Sequence, residues 1–276
     1  MTIGMPFTLN NQVVMPSLGL GCYKAHGDEI YQAVRWAIEA GYRMVDTASR
    51  YENEEAVGRG VRESGVPRED LFVVSKLWPT RFDKPAAGID FSLRELNTDY
   101  MDLYLLHWPG TDDAARFRAW EALLGAVEQQ KIRAIGVSNF QIPHLESLIK
   151  EFGVVPAVNQ IELHPWYPQR ELVQYCREHD IAVTAWGPIF RGHIAEVPLM
   201  DELASKYGKS PVQVTLRWHV QHGNIIIPKS SNKARIISNS ELFDFELSDE
   251  DMRAIDALEC GKHFGDDPYT FDGAGF

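Results

Sequence analysis

Three short apolar stretches of the sequence end on residues that can hold or transfer a proton. They end on Asp46, Lys76 and His107, and Tyr51 follows the first of them on the adjoining loop. The stretches are spaced by about one strand-and-helix unit, and the carboxyl ends of consecutive parallel strands in a barrel lie on one face. We therefore expect these four side chains to lie close together.

Together these four residues would form a proton donor directed at a carbonyl oxygen. The pKa of tyrosine is ordinarily about 10, and an adjacent Lys76 ammonium would lower it by stabilising the phenolate. At roughly 4 Å and an effective dielectric of about 20 the attraction is about 4 kcal/mol, an upper bound near three pKa units. Asp46 would keep the lysine charged, and His107 could orient the carbonyl by a hydrogen bond. The set has no nucleophile and no metal shell, so it needs a hydride donor, which predicts a nicotinamide cofactor.

Each of these residues, taken alone, has a simpler interpretation. Asp46 could cap a helix or form an ordinary salt bridge, Lys76 could be a solvated strand end, and Tyr51 and His107 could be surface or strand-end residues. The coincidence of all four at consecutive strand ends favours the catalytic interpretation. His164, after the sixth candidate strand, we interpret as a structural residue that anchors its loop.

The apolar pattern predicts an α/β fold, a single (β/α)8 TIM barrel over residues 1–276, because strand-like and helix-like stretches alternate eight times without a linker. The sequence of residues 7–16 predicts an N-terminal β-hairpin cap with Asn10 and Asn11 in its turn. The aperiodic tail after residue 260 is expected to form a C-terminal loop over the active site. The predicted strands are one ending at Asp46 and residues 17–22, 71–76, 101–107, 132–138, 157–162, 181–186 and 224–228. The predicted helices are residues 28–40, 53–63, 85–96, 114–129, 143–152, 170–178, 199–206, 212–222, 232–239 and one beginning at Ser248.

The composition excludes several classes of protein. The sequence has no run of about 20 apolar residues, the length needed to span a membrane, and its first residues do not resemble a signal peptide. The three cysteines, Cys22, Cys176 and Cys260, have no regular spacing, so we expect no disulfides and no zinc site. Reduced cysteines are typical of the cytoplasm, which is the location we expect. A net charge of −12 makes nucleic acid an unfavourable partner.

Residues 227–235 are the best candidate for a phosphate site. In barrels such a site commonly follows the last strands, and here the sequence supplies Ser230 and Ser231 with the cations Lys229 and Arg235. Two cations around one phosphate suit a 2′-phosphate, which favours NADPH over NADH. The alternative is an ordinary capped helix with surface cations.

The nicotinamide end of a cofactor would lie near strands five to seven. Ser138, Asn139 and Gln160 could hydrogen-bond the carboxamide, and Trp186 offers a flat face for stacking. The tryptophan alone could equally be a packing residue.

Aromatic residues near the candidate site could form an apolar substrate pocket. Those expected to line it are Tyr23, Trp78 and Trp108 with Phe264 and Phe276 of the tail. The substrate would be a small molecule with a carbonyl group.

Four motifs together resemble those of the aldo-keto reductase family. They are residues 41–48 (GYRMVDTA) with YENE from Tyr51, residues 101–108 (MDLYLLHW), residues 136–140 (GVSNF) and residues 227–230 (IPKS), and the resemblance extends from about residue 7 to 256. The segments VPAVNQIELHP and AWGP are closest to the bacterial prostaglandin F synthase and diketogluconate reductase branch.

The resemblance implies a monomeric barrel that uses NADPH to reduce aldehydes and ketones to alcohols. Small aldehydes, dicarbonyls and keto-sugar acids are the expected substrates. It implies that Tyr51 is the general acid, that Lys76 and Asp46 tune it, that His107 orients the substrate and that Trp186 stacks on the nicotinamide. Further cofactor contacts are expected at Gly187, Pro188, Ile189 and Asn239.

The sequence departs from the family pattern at the pocket and at the phosphate site. Tyr23 stands where the family often has tryptophan or phenylalanine, and Ser231 and Asn232 replace the usual valine or threonine and arginine. Two other functions remain as alternatives, a non-catalytic NADPH-binding sensor and an aldolase that forms a Schiff base on Lys76. The aldolase needs a neutral lysine, whereas a nearby Asp46 would keep it charged.

Overall fold

The computed structural model describes residues 4–274 of the chain. Phe276, predicted as a pocket residue, therefore lies outside the described residues. An antiparallel hairpin of β1 (Pro6–Thr8) and β2 (Val14–Pro16) precedes eight parallel strands. The parallel strands are β3 (Leu20–Gly21), β4 (Met44–Asp46), β5 (Phe72–Leu77), β6 (Met101–Leu106), β7 (Ile132–Ser138), β8 (Val158–Glu162), β9 (Ala182–Trp186) and β10 (Ile225–Ile226).

The eight strands form a closed barrel. Each strand from β3 to β10 pairs with the next in chain order, and Leu18 and Gly21 bridge to Ile226 and Lys229 across the remaining gap. Gly19 also donates a backbone hydrogen bond of 2.9 Å to Ile226. A Cβ at position 21 would lie 2.6 Å from the Ile227 carbonyl oxygen, so the seam can close only where residue 21 is glycine. The predicted (β/α)8 barrel and its hairpin are confirmed.

Helices surround the barrel and bury their apolar faces against it. They are α1 (Gly27–Glu39), α2 (Glu54–Arg62), α3 (Pro85–Leu96), α4 (Asp113–Glu128), α5 (Ile142–Phe152), α6 (Arg170–Glu178), α7 (Pro198–Tyr207), α8 (Pro211–Gln221), α9 (Lys233–Ser238) and α10 (Asp249–Asp256). Ser248 caps α10 by accepting from the backbone N–H of Asp251, as the sequence pattern predicts. No helix within residues 4–274 is long and apolar enough to cross a bilayer.

A separate apolar cluster fills the interior of the barrel below the site. Met44, Val74, Leu103 and Leu105 fill it from the strands, and the hairpin's Met15 closes it from below. All five side chains are buried. Because this packed layer fills the lower barrel, the polar side chains of the strands collect at the carboxyl ends.

The predicted hairpin turn is confirmed, since Asn10 and Asn11 lie between Leu9 and Gln12 and the Gln12 backbone N–H donates to the Leu9 carbonyl oxygen (2.9 Å). Gln12 itself takes a left-handed conformation (φ 68°). Two other local predictions were wrong in detail. The first and last barrel strands are only two residues long because the seam there is made by isolated bridges. Tyr51 lies on a turn of 3₁₀ helix, Ser49–Tyr51, instead of an irregular loop.

Candidate functional site

The three neighbouring strands β4, β5 and β6 bring the predicted proton-transfer residues together. Asp46 ends β4, Lys76 lies near the end of β5 and His107 directly follows β6. Lys76 donates to Asp46 Oδ1 (2.5 Å) and to the Thr47 carbonyl oxygen (2.8 Å), and its side chain is fully buried. A lysine held in this way is a charged donor, which is the opposite of the neutral amine that a Schiff-base aldolase needs.

Asp46 is held from both sides of the barrel. Its Oδ2 accepts a 2.8 Å hydrogen bond from Gln160 Nε2 on β8, across the barrel from Lys76. A buried carboxylate needs hydrogen bonds as well as a counter-charge, and here Gln160 supplies one. Gln160 therefore supports the ion pair, a role that its sequence position did not indicate.

Tyr51 and His107 point into the same space. The Tyr51 hydroxyl oxygen lies 3.4 Å from His107 Nε2, and Lys76 Nζ lies 5.1 Å from the centre of the tyrosine ring. Tyr23 and Trp78 flank this pair, with ring centres 5.1 Å from Tyr51 and 4.9 Å from His107 respectively. One small polar atom could contact both the phenol and the imidazole.

The pKa of Tyr51 is raised well above its ordinary value, which corrects the predicted lowering. Burial of the phenol is the largest cause, followed by the Asp46 carboxylate, and Arg191 opposes them. Burial disfavours the phenolate, and the Lys76 charge is largely compensated by Asp46 at 2.5 Å. Tyr51 is therefore a protonated donor in this structure.

The pKa of His107 is lowered well below its ordinary value by burial and by the Lys76 charge. The imidazole is thus neutral and can donate one hydrogen bond. Its backbone carbonyl accepts from Asn139 Nδ2 (3.0 Å), which ties the end of β6 to the end of β7.

The residues predicted at the nicotinamide end also converge. Trp186 Nε1 donates to Asn139 Oδ1 (2.8 Å), and Ser138 donates to the Gln160 carbonyl oxygen (2.8 Å). Asn139 itself takes a left-handed conformation (φ 63°), which asparagine tolerates better than most residues. These bonds fix the polar groups beside the half-buried face of Trp186, an arrangement that fits a flat amide-bearing ring.

The predicted phosphate residues lie at the seam of the barrel and in α9. Ser230 is buried, and Ser231 lies beside it. Lys229 Nζ lies 4.0 Å from Glu29 Oε1. By contrast, no carboxylate within residues 4–274 forms an ion pair with the exposed Arg235. Asn239 is buried at the end of α9. An exposed guanidinium in the first turn of the helix that follows the two serines is suited to a phosphate group.

The segment after β9 carries the other predicted cofactor contacts and one residue that the sequence analysis missed. Gly187 takes a left-handed conformation (φ 62°), and the Pro188 carbonyl oxygen accepts from buried His219 (3.0 Å). Ile189 is half-buried. The Arg191 guanidinium lies 5.7 Å from the centres of both Tyr23 and Trp186, so this cation stands at the mouth of the site.

The C-terminal tail covers the site, as predicted, and within residues 4–274 the aromatic residue that covers it is Phe271 rather than Phe264. Phe271 packs on Trp78 (5.6 Å between ring centres) and on Trp108 (4.5 Å), and so completes the expected wall. Phe264 instead stacks on His193 (4.9 Å) outside the pocket. An aperiodic tail gave no signal that could distinguish the two phenylalanines.

Asn53 is another residue that sequence reasoning missed. It is buried, its Oδ1 accepts from Thr47 Oγ1 (2.5 Å), and its Nδ2 donates to the carbonyl oxygens of Cys22 and Ala25 (both 2.8 Å). These bonds fasten the loop that carries Tyr23 to the segment beside the ion pair. Its place in the YENE motif was the available signal.

His164 proves to be structural, as interpreted. It is fully buried, and its Nε2 lies 3.0 Å from Glu162 Oε1. Its ring lies against Phe190 and Phe264, outside the space shared by Tyr51 and His107.

Comparison with known proteins identifies the family. The model of the Aldo/keto reductase family matches residues 17–259. The chain is 48% identical to 9,11-endoperoxide prostaglandin H2 reductase of Trypanosoma cruzi, covering 96% of this chain and 95% of that protein. It is 47% identical to glyoxal reductase of Bacillus subtilis, covering 94% and 95% respectively.

A solved structure agrees in fold and in cofactor. A Bombyx mori aldo-keto reductase in complex with NADP has a TM-score of 0.89 and 37% identity, covering 95% of each chain. The chain belongs to the aldo/keto reductase family and is an NADP-dependent oxidoreductase.

Proposed function

We propose that this enzyme reduces small uncharged carbonyl compounds, above all α-oxoaldehydes such as glyoxal, to alcohols. The observation that carries the proposal is the 3.4 Å separation of the Tyr51 hydroxyl and His107 Nε2 beside the buried Lys76–Asp46 pair. The 47% identity to a glyoxal reductase supports the substrate class.

His107 and Tyr51 both act on the carbonyl oxygen of the substrate. Neutral His107 can donate a hydrogen bond that orients the oxygen, and Tyr51, protonated because its pKa is raised, gives its proton to the same oxygen as negative charge develops there. NADPH, when bound, supplies the hydride to the carbonyl carbon. The Lys76 ammonium, 5.1 Å from the ring centre, offsets part of the cost of the tyrosinate that remains, although Asp46 compensates most of its charge.

The remaining residues are proposed to hold the cofactor in place. Trp186 would stack on the nicotinamide, with Ser138, Asn139 and Gln160 at its carboxamide. Gly187, Pro188 and Ile189 would contact the middle of the molecule. Lys229, Ser230, Ser231, Arg235 and Asn239 would bind the 2′-phosphate end.

Acidic residues beside the site disfavour an anionic substrate. A cavity of about 190 Å³ that borders Trp108 and Trp186 also borders Asp266 and Asp267, and Tyr51 and His107 are not among its lining residues. The exposed Asp266 and Asp267 would repel the carboxylate of a keto-sugar acid as it approaches, in opposition to the attraction of Arg191. Phe271 also narrows the entrance, which favours small molecules.

The test is the loss of NADPH absorbance with glyoxal and with glyoxylate, two aldehydes of similar size of which only glyoxylate carries a carboxylate. We expect a kcat/KM for glyoxal at least tenfold higher, and turnover of methylglyoxal and an aromatic aldehyde above that of a diketo-sugar acid. A preference for glyoxylate would contradict the substrate class. Tight NADPH binding without any turnover would support the sensor.

A further inference from the structure

The C-terminal tail is attached to the barrel on both sides of the substrate pocket. On one side Trp78 Nε1 donates to the Gly273 carbonyl oxygen (3.0 Å), close to where Phe271 covers Trp78 and Trp108. On the other side the tail meets Glu162, at the end of β8. Residues 264–273 therefore span the pocket between two fixed points.

Glu162 binds the tail through backbone groups. Its Oε1 accepts from Phe264 N (2.8 Å) and its Oε2 from Gly265 N (2.7 Å), while His164 Nε2 lies 3.0 Å from Oε1. The side chain is only 5% exposed, and no lysine or arginine of residues 4–274 pairs with it. A buried carboxylate without such a counter-charge depends on its hydrogen bonds, so these two amides take the place of water.

Gly265 lies too close to its neighbours for any side chain. A Cβ built there would lie 2.8 Å from Trp186 Cη2 and 2.9 Å from Glu162 Oε2. The tail is therefore in direct contact with both the carboxylate and the tryptophan. Because Trp186 stands beside the reacting centre, a shift of Gly265 would change the shape of the pocket.

We propose that Glu162 is a positioning residue that sets how closely the C-terminal tail covers the substrate pocket, acting through the amides of Phe264 and Gly265. This inference rests on the proposed function for its kinetic consequence, but its structural consequence is independent of any substrate. Loss of the carboxylate would loosen the tail at the Trp186 side while the Trp78 side stays attached. The proton-transfer residues would keep their geometry, because the hydrogen bonds that hold Asp46, Lys76, Tyr51 and His107 do not involve Glu162.

Glu162→Gln tests the proposal, because an amide of the same shape presents an N–H group to one of the two tail amides. We expect hydrogen exchange of the peptide covering residues 262–274 to accelerate at least tenfold, with the strands of the barrel unchanged. KM for an aromatic aldehyde should rise about fivefold or more, while kcat and the Kd of NADPH change less than twofold. Glu171→Gln, on the exposed first turn of α6, is the matched control and should change none of these quantities.

Unchanged exchange in the tail of Glu162→Gln would overturn the proposal whether or not the protein turns over any substrate. A loss of kcat in parallel with faster exchange throughout the barrel would also overturn it, since that is the result of a general structural role. If the enzyme reduces no carbonyl compound but the tail alone exchanges faster, the proposed function fails and the positioning role stands.

Gly265→Ala provides a second variant that leaves Glu162 intact. The added methyl group should displace the tail from the carboxylate, and so accelerate exchange of the same peptide and raise KM to a similar extent. The double variant should be no worse than the more severe single variant, because both changes break one attachment. Additive effects would contradict the proposal. Gly125→Ala, where a Cβ meets nothing within 4 Å, is its control.

Discussion

Lys76 Nζ lies 2.5 Å from Asp46 Oδ1 in the interior of the barrel, and both side chains are at most 3% exposed. In this position the pair cannot be solvated by water and each charge depends on the other. The Lys76 ammonium of this pair also lies 5.1 Å from the centre of the Tyr51 ring, so we expect stability and proton transfer to depend on the same pair.

Lys76→Met should destabilise the protein strongly, because it leaves Asp46 buried without its counter-charge. Removing one partner of a buried pair costs about 3–5 kcal/mol in free energy of unfolding. The double variant Lys76→Met/Asp46→Asn should recover part of that loss, although turnover stays lost in both, and urea unfolding measures the difference. Lys131→Met removes the exposed contact to Asp90 and should cost less than about 1 kcal/mol. If Lys76→Met and Lys131→Met lost the same free energy of unfolding, burial of the Lys76–Asp46 pair would not explain its contribution to stability.

Buried neutral histidines should make the protein less stable in mild acid. Burial lowers the pKa of His219 to about 3, and that of His107 lies well below its ordinary value. Below pH 6.5 the unfolded chain binds protons at these positions and the folded chain does not, so stability falls as the pH falls. Between pH 7 and pH 5 each such histidine lowers the free energy of unfolding by up to about 2 kcal/mol.

The contribution of His219 can be isolated by replacement. Urea unfolding of His219→Asn at pH 7 and pH 5 should show a smaller difference between the two pH values than the unchanged protein, whatever the absolute cost of the substitution. His26→Gln, at an exposed position, should leave the difference unchanged. If the difference in free energy of unfolding between pH 7 and pH 5 were the same in His219→Asn and His26→Gln, His219 would have to take up a proton in the folded protein.

Arg235→Ala should weaken NADPH binding much more than NADH binding. Only NADPH offers a 2′-phosphate, and a charge-assisted hydrogen bond contributes about 1.5–3 kcal/mol, or about tenfold or more in Kd. Quenching of tryptophan fluorescence by each nucleotide measures the two constants. Arg94→Ala, on the exposed face of α3, should alter neither. If the Kd values of NADPH and NADH rose equally, Arg235 would not be the residue that binds the 2′-phosphate.

The convergence of the site could be predicted from the sequence because it follows from strand order. Asp46, Lys76 and His107 lie at or next to the carboxyl ends of three consecutive parallel strands, and the register that pairs Asp46 with Val74 and Lys76 with Leu105 brings those ends together. Periodicity and topology were sufficient for that result.

Properties that depend on burial or on distant contacts could not be predicted in the same way. The direction of the Tyr51 pKa shift depends on how much water reaches the phenol, and the apolar pattern does not measure that. The contact of Glu162 with Phe264 joins residues 102 positions apart, in a tail without periodicity. Arg191 reaches Tyr23 only because the segment after β9 takes left-handed turns.

The most direct test of the mechanism is turnover by Tyr51→Phe. The substitution removes only the hydroxyl group, so the ring should keep its contacts with Tyr23 and Lys76, and NADPH should bind as before. Loss of a positioned acid costs typically about 10²–10⁴-fold in rate, and we expect kcat with methylglyoxal to fall by at least about 10²-fold. Tyr175→Phe, at a half-buried position of α6 where the ring stacks on His179, is the control and should keep full activity. Unchanged kcat in Tyr51→Phe would contradict the assignment of Tyr51 as the proton donor.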